Sequence, residues 1–410
     1  MRLFSSSNND PQQDTKTHGK KRPHRPRIRP LYQVVLIGPD EVILRTGVWS
    51  GSSFVFKDRK QTGLLGRIMQ MLNGQHTLEE IIKSVGSGRE KEVLTVIDTL
   101  MANALAEDTP DEPEGVSIGD DDGSQPAHAF LSAIARQPIS VTAGRLRAAT
   151  VAVLGCGAIG MRVALQLAQS GLNQIICLDD TPFRPADVSL TPYLPSHLLG
   201  RSRAEVAAAW LSNIKPDIKV KTVSTDDDPE AAWTKILPDC TLVIVAQDAP
   251  DPLLYQRWNA TALRHNVPWL LVTVDGLEGL VGPLFVPHQT ACYVCFEMRL
   301  ESNLLHYEAY QRGKQAAARL RADYGVRFVG LPGFVDVVAG FAATESVRLI
   351  ATEYSFVAGK IMRINFQGGV VEINEVLKLP RCPACGRAAH RHPPQQAFHT
   401  FNRVITELGI

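Results

Sequence analysis

With 410 residues, 44% of them hydrophobic and 21% charged, the chain has the composition of an ordinary globular protein and room for two domains. Its formal net charge of +1 argues against a general nucleic-acid-binding surface, and no stretch reaches the roughly 18 apolar residues that span a bilayer. Because no apolar, signal-like stretch follows Met1, we expect a cytoplasmic protein that engages neither nucleic acid nor membrane.

Residues 1–29 are polar and strongly basic. The charged residues between positions 16 and 29 are all Lys or Arg, and a segment of such low hydrophobicity is typical of a disordered tail. A basic tail can also contact RNA, anionic lipid or an acidic peptide, so its role stays open.

Residues 30–106 combine strand patterns with helical patterns. Runs of β-branched and aromatic residues, separated by turn sequences, predict a meander over residues 33–37, 41–45 and 53–57. Helical spacing follows over residues 64–72, from residue 77 onward and over residues 93–105. Thr77 and Glu80 have the spacing of a capping box. This order predicts a small winged-helix-like α+β domain.

The segment 107–126 is acidic and rich in Gly, Pro and Ser, which predicts a linker. After it, apolar strand patterns alternate with helical ones, which predicts a mostly parallel α/β sheet covered on both faces within residues 127–390. The predicted strands lie at residues 151–154, 175–178, 241–245 and 269–273, with helices at 161–169, 203–213 and 253–265. A long apolar helix (332–354) and late antiparallel strands (361–373) follow, and residues 391–410 form a C-terminal tail.

A glycine-rich turn, Gly155-Cys-Gly-Ala-Ile-Gly160, follows the first apolar strand, and Asp179 ends the next strand. In a nucleotide-binding turn the first glycine makes the turn, the second admits a phosphate, and the third lets helix and strand pack closely. The amides at the start of the following helix attract an anion. The pattern predicts a Rossmann-like fold and leaves open whether a nucleotide binds.

Four of the seven cysteines form two CxxC pairs, and this spacing lets both thiolates of a pair bind one tetrahedral zinc ion. We predict a structural four-cysteine zinc site formed by Cys292, Cys295, Cys382 and Cys385. Reduced buried thiols are the alternative, and redox use is less favoured because neither pair opens a helix after a thioredoxin-type strand.

Together these motifs resemble the ThiF/MoeB family, whose members are similar to ubiquitin-activating enzymes and adenylate a carboxyl terminus with ATP and magnesium. The resemblance covers roughly residues 130–387. It includes Gly200-Arg-Ser-Arg203-Ala-Glu205 and an apolar helix that reaches Glu345.

The chain departs from the adenylating members where the resemblance places their ATP contacts. The stretch from Asp187 to Tyr193 lacks the family's asparagine and arginine, and Arg203 stands in place of its phosphate-binding lysine. An arginine does not reproduce the geometry of a lysine at a phosphate. We therefore predict that this chain does not use ATP or magnesium and that its nucleotide-binding residues are vestigial: Gly155, Gly157, Gly160, Asp179, Arg203 and Asp248.

A ThiF-like domain that lacks these ATP contacts and follows a winged-helix module resembles the ocin-ThiF-like proteins, or F proteins. These belong to thiazole/oxazole-modified and thiopeptide pathways. The sequences from Asp179 to Asp187 and from Gly282 to Cys295 are similar to signatures of that subgroup. The resemblance implies that residues 30–106 are a recognition element for ribosomally synthesised, modified peptides (RiPPs). It also implies a homodimer, a YcaO-type cyclodehydratase as partner, and no independent enzymatic activity.

We expect a leader peptide to add as an extra strand beside residues 53–57 and to lie against the third helix. The apolar residues there can equally belong to the core, whereas Lys57 and Arg59 suit an acidic leader. The predicted leader-binding residues are Ser53, Phe54, Val55, Phe56, Lys57, Arg59, Val93, Ile97 and Leu100.

Three other functions are compatible with parts of the pattern. An adenylyltransferase that activates a peptide or sulfur-carrier terminus is the main alternative. A nicotinamide oxidoreductase would use the same glycine turn but does not account for the two cysteine pairs. A nucleic-acid-binding winged helix needs a basic third helix, yet residues 93–107 contain no Lys or Arg.

Overall fold

The structure is a computed structural model that describes residues 22–49, 53–86, 88–109, 125–191, 194, 196–225, 228–320 and 330–386. The predicted C-terminal tail, most of the predicted N-terminal tail and most of the predicted linker lie outside these residues. The chain divides into two compact units between Gly144 and Arg145. Unit 1 therefore continues past the end of the predicted linker at residue 126.

Unit 1 contains a small antiparallel sheet and several helices. Its elements are strands β1 (Pro26–Ile28), β2 (Gln33–Gly38), β3 (Glu41–Arg45), β4 (Ser53–Lys57) and β5 (Ala106–Asp108), and helices α1 (Leu64–Met71), α2 (Leu78–Val85), α3 (Glu90–Ala102), α4 (Gln125–Ala135) and most of α5 (Ile139–Ala148). The sheet has the order β2-β3-β4, so β4 lies at an edge. Helix α2 begins at the expected capping box, in which Thr77 accepts from the Glu80 amide and Glu80 accepts from the Thr77 amide.

The structure differs from the predicted tail at positions 26–29. Strand β1 pairs with β5, and the Arg27 guanidinium lies 2.7 Å from the buried carboxylate of Glu107. Arg29 is also buried, and it donates to the carbonyl oxygens of Ser132 and Gln137. The groups that pair with Arg27 and Arg29 lie about 80 to 108 positions further along the chain. Both arginines are therefore part of the folded unit.

Unit 2 is built on an eight-stranded sheet. Its elements are β6 (Thr150–Leu154), α6 (Ala158–Gln169), β7 (Gln174–Leu178), α7 (Pro185–Leu190), α8 (Arg203–Ile214), β8 (Lys219–Thr222), α9 (Pro229–Ile236), β9 (Leu242–Gln247), α10 (Pro252–His265), β10 (Trp269–Asp275), β11 (Glu278–Phe285), α11 (Tyr293–Glu301), α12 (Tyr307–Leu320), α13 (Pro332–Thr352), β12 (Lys360–Asn365) and β13 (Val370–Glu375). The strand order is β13-β12-β11-β10-β9-β6-β7-β8.

Strands β8, β7, β6, β9 and β10 run parallel, while β11, β12 and β13 add to β10 in antiparallel fashion. This confirms the predicted Rossmann-like α/β fold with a mostly parallel sheet. The chain leaves β6 toward β7 on one side and later returns to β9 on the other. Such a reversal opens a crevice at the carboxyl ends of the two central strands, where α/β proteins place their ligands.

Helix α13, the longest helix within the described part of unit 2, packs one face against the sheet and against α6. Its buried residues include Val338, Ala342 and Glu345, and the Glu345 carboxylate accepts from the Ser355 hydroxyl and the Phe356 amide, each at 2.7 Å. Among the described residues, no helix combines the length and the apolar character needed to cross a membrane.

Candidate functional site

The glycine turn lies at the crevice between β6 and β9, and its backbone leaves no room for side chains. Gly155 has a φ of +97°, and a Cβ at this residue would overlap the carbonyl oxygen of Ala246. A Cβ at Gly160 would overlap the carbonyl oxygen of Gly155. The first and third glycines therefore have the turn and packing roles that the motif predicts.

The second glycine is approached by a side chain of the protein itself. The Asp248 carboxylate, just after β9, accepts from the amides of Ala158 and Ile159, each at 3.0 Å. A Cβ at Gly157 would overlap this carboxylate. Burial raises the pKa of Asp248, although the two amides and Arg203 partly oppose that shift. Asp248 thus occupies the position at the start of α6 that attracts an anion.

The other predicted nucleotide contacts are also engaged within the protein. The Asp179 carboxylate accepts from the Cys156 amide at 2.8 Å and from the Thr181 amide at 3.0 Å. Arg203 makes a two-pronged contact with Asp187, at 3.1 and 2.6 Å, and lies 3.9 Å from Asp179. Burial alone would lower the pKa of Arg203, but these carboxylates leave it raised.

Asp187 is a site residue that sequence reasoning missed. Its buried carboxylate also accepts from the Arg184 amide at 2.8 Å and so fixes the start of α7. The signal that could have found it is the arginine at position 203, because a guanidinium fork matches a carboxylate with two parallel hydrogen bonds.

We predict that Gly160→Ala lowers the free energy of unfolding by about 3 kcal/mol, because the turn backbone must move to admit the methyl group. Urea denaturation measures the change. The matched control is Gly313→Ala in α12, where a Cβ would meet no neighbour within 4 Å. Alanine is the better helix former, so the control should gain up to about 1 kcal/mol. Equal urea midpoints for Gly160→Ala and the unmutated chain would refute the close packing of the turn.

The four predicted zinc ligands come together in unit 2 and are all buried: Cys292, Cys295, Cys382 and Cys385. Cys292 immediately precedes α11, and Cys295 lies in its first turn. The Sγ–Sγ distances are 3.9 Å for Cys292–Cys295, 3.7 Å for Cys292–Cys382 and 3.4 Å for Cys295–Cys385.

This geometry suits a tetrahedral metal ion. Zinc–sulfur bonds of about 2.3 Å in a tetrahedron separate the sulfurs by about 3.8 Å, close to the observed distances. The Leu379 amide donates to the Cys295 sulfur at 3.4 Å, as a second-sphere hydrogen bond would. The cluster can therefore hold a metal ion, and four protein ligands would leave no coordination position for substrate.

Unit 1 contains a groove of about 380 Å³ at the carboxyl end of β4. Its lining carries the exposed cations Lys57, Arg59 and Lys60 and the acids Asp58 and Glu92. The Lys57 ammonium lies 2.9 Å from Glu41 and the Lys60 ammonium 3.8 Å from Glu92. Its apolar walls come from Leu64, Leu65 and Ile68 of α1 and from Val96 of α3.

The other predicted leader-binding residues fall into two groups. Phe56, Val93, Ile97 and Leu100 are buried in the core of unit 1 and are not among the residues that line the groove. Ser53, Phe54 and Val55 are half-buried on the edge strand β4. The groove also uses Val96, which lies on the apolar face of α3 but was not among the predicted contacts.

The model of the ThiF family matches residues 134–384, which is more than half of the chain. The chain belongs to the ThiF family. Protein HesA of Leptolyngbya boryana is 24% identical over 273 residues, covering 65% of this chain and 87% of HesA. The molybdopterin-synthase adenylyltransferase of Salmonella typhimurium is 22% identical over 244 residues, covering 59% of this chain and 89% of that enzyme.

Solved structures match a larger share of this ThiF-family protein than the family model does. E. coli MccB, crystallised with AMPCPP and MccA, has a TM-score of 0.65 at 18% identity and covers 88% of this chain and 99% of its own. The heterocyclase TruD has a TM-score of 0.60 at 22% identity and covers 89% of this chain, but only 43% of TruD is matched. At these identities the likeness shows a shared fold.

Proposed function

We propose that this ThiF-family protein binds the leader peptide of a ribosomally synthesised precursor and presents it to a separate YcaO cyclodehydratase. That partner would convert Cys, Ser or Thr residues of the precursor into azoline heterocycles. The observation that carries the proposal is the groove beside the edge strand β4 in unit 1, which has apolar walls and more cations than acids among its lining residues.

The groove suits the addition of a peptide strand. An edge strand turns alternate backbone amides and carbonyls away from its partner, here β3, and these groups can pair with an extended peptide. Apolar walls from α1 and α3 would hold a leader side chain, and Lys57, Arg59 and Lys60 would attract an acidic one. Holding the leader raises the concentration of the precursor at the partner's active site.

Internal contacts in the glycine turn support the absence of ATP chemistry in this chain. Phosphoryl-group chemistry depends on cations placed around the phosphates. Arg203 is already committed to Asp187, and Asp248 takes the amides that would meet a phosphate. ATP with magnesium would have to break both arrangements.

Similarity to peptide-related proteins also supports the proposal. MccB was crystallised with MccA, and the likeness to the heterocyclase TruD leaves 57% of TruD unmatched (100 − 43). A separate partner that supplies what this chain lacks would account for the difference.

Two further parts of the proposal concern assembly. We assign the four-cysteine cluster to a structural zinc ion, because sets of four cysteines with this spacing select zinc. We also propose a homodimer formed through unit 2. Helix α13 exposes the apolar side chains of Val337 and Phe341, which suit such a contact.

The second candidate is an adenylyltransferase that activates a peptide or sulfur-carrier terminus. It is favoured by the molybdopterin-synthase adenylyltransferase among the relatives and by the nucleotide analogue in the MccB crystal. In that case Asp248 and Arg203 would have to release their present partners when ATP binds.

One experiment separates the two functions. The precursor peptide encoded beside this protein's gene is labelled and titrated with the full chain, and ATP–pyrophosphate exchange is measured with and without the peptide. We expect saturable binding that a scrambled peptide does not reproduce, and exchange at background level. Peptide-dependent exchange would establish the adenylyltransferase instead, and absence of peptide binding would refute leader recognition.

A further inference from the structure

The turn between β4 and α1 supplies much of the groove in unit 1. Most of the residues that line the groove lie between Lys57 and Leu65. Arg59 and Lys60 belong to the turn itself, whereas Leu64 and Leu65 begin α1 and form part of the apolar wall. The path of the turn therefore sets how these two cations lie relative to the apolar wall.

Asp58, the first residue of the turn, accepts most of its hydrogen bonds. The Asp58 carboxylate accepts from the Lys60 amide at 2.9 Å, from the Thr62 amide at 3.2 Å and from the Thr62 hydroxyl. The Asp58 carbonyl oxygen accepts from the Gln61 amide at 3.2 Å. The Thr62 hydroxyl and the two amides lower the pKa of Asp58, so the carboxylate is ionised at neutral pH. Three consecutive amides of the turn thus depend on one residue.

The two ends of the turn are held by other contacts. The Asp58 amide donates to the carbonyl oxygen of Asp40 at 2.8 Å, and the Gly66 amide donates to that of Pro39 at 2.9 Å. Between these ends Gln61 has a φ of +51°, in the left-handed region that a residue with a side chain adopts only when its surroundings enforce it. The middle of the turn therefore relies on the Asp58 carboxylate.

Charge alone would make Asp58 a poor residue for this groove. A carboxylate repels the acidic leader that the neighbouring cations would attract, and like charges at an interface reduce affinity. A turn that is ordered before the peptide arrives has the opposite effect, because binding then does not have to order it. Glu92, the other acid in the lining, lies on α3, where its carboxylate is 3.8 Å from the Lys60 ammonium.

We propose that Asp58 is a positioning residue for leader binding, which holds residues 59–62 in the conformation that places Arg59 and Lys60 beside the apolar wall of the groove. This inference rests on the proposed function of unit 1. The role depends on the hydrogen bonds that the carboxylate accepts from the turn. Removing the carboxylate therefore weakens binding of an acidic leader, although it also removes a repulsive charge.

Binding of the labelled precursor peptide tests the proposal with two variants that each remove one acid from the groove. Asp58→Asn should weaken binding by the full chain roughly tenfold, because the turn must then be ordered when the peptide binds. Glu92→Gln, the matched control, removes the same charge and should leave binding unchanged or up to about fivefold tighter. Equal or tighter binding by Asp58→Asn would overturn the inference and leave the proposed function intact, and equal losses in both variants would also overturn it. Failure of the unmutated chain to bind the peptide would refute the proposed function and this inference with it.

Thr62 separates the hydrogen bonds from the charge, and it tests the proposal even where Asp58→Asn does not fold. Thr62→Val removes the hydroxyl donor and should weaken binding about threefold, whereas Thr62→Ser keeps a hydroxyl and should bind like the unmutated chain. In the free protein, the amides of Lys60 and Thr62 should exchange hydrogen roughly tenfold faster in Asp58→Asn and in Thr62→Val, with the unfolding transition unchanged. Unaltered exchange of these amides in both variants would overturn the proposal.

Discussion

Replacing Cys295 by serine is expected to abolish metal binding at the proposed zinc site and to lower the free energy of unfolding by about 5 kcal/mol. Structural zinc contributes on the order of 10 kcal/mol to the folding of small domains, and a serine hydroxyl is a poor substitute for a thiolate. The cluster joins α11 to the chain after β13, which is about 90 positions away. Metal content by mass spectrometry and thermal unfolding measure the two effects, with a fall in Tm of roughly 10–20 °C.

Cys240→Ser is the matched control for this substitution. Cys240 lies outside the cluster and is partly exposed, so its replacement should keep the metal and change stability by less than about 1 kcal/mol. Removing metal from the unmutated chain with a chelator should reproduce the instability of Cys295→Ser. A Cys295→Ser protein that keeps one metal ion per chain and unfolds with the control would contradict a structural metal site.

Local patterns were sufficient to predict most of the fold. The strands of the meander, the capping box at Thr77 and the parallel strands of unit 2 lie within a few residues of their predicted positions. Each depends on side-chain periodicity or on neighbours three or four positions apart. The cysteine site was also predictable, because the spacing within each pair is set by the geometry of one metal ion.

Contacts between distant residues were not predictable in the same way. Arg29 was assigned to a tail because its partners Glu107 and Ser132 are far along the chain. The sequence motifs explained Asp187 and Arg203 separately. Only the fold brings an Asp187 carboxylate oxygen within 2.6 Å of the Arg203 guanidinium. Periodicity likewise identified the apolar face of α3 without showing that Val93 faces the core and Val96 the groove.

The glycine turn has structural reasons for its sequence motif that do not involve a nucleotide. The glycines are required by backbone contacts that exist without any ligand. The N-terminus of α6 carries a partial positive charge, which favours an anion. The Asp248 carboxylate of the same chain lies there and accepts hydrogen bonds from its amides. The motif alone therefore indicates the fold and not occupancy.

Reversing the three groove cations, in the variant Lys57→Glu/Arg59→Glu/Lys60→Glu, is expected to weaken precursor binding by at least about a hundredfold. Placing like charges together at an interface costs several kcal/mol, and these side chains are the three cations among the residues that line the groove. Fluorescence anisotropy with the labelled precursor measures the loss. The effect should shrink as salt concentration rises, because exposed charges are screened.

The control variant is Arg67→Glu/Lys83→Glu/Lys91→Glu, which changes the net charge of the same unit by the same amount. These three residues are not among those that line the groove, so binding should change by less than about threefold, as for charges at the rim of an interface. Equal losses in both variants would mean that the peptide responds to the overall charge of unit 1. Unchanged binding in the groove variant, with an unaltered unfolding transition, would place the leader elsewhere. A loss confined to the groove variant, with an unaltered unfolding transition, would support a peptide at the end of β4, because the same variant also removes the pairs Lys57–Glu41 and Lys60–Glu92 and the transition checks that the fold tolerates this.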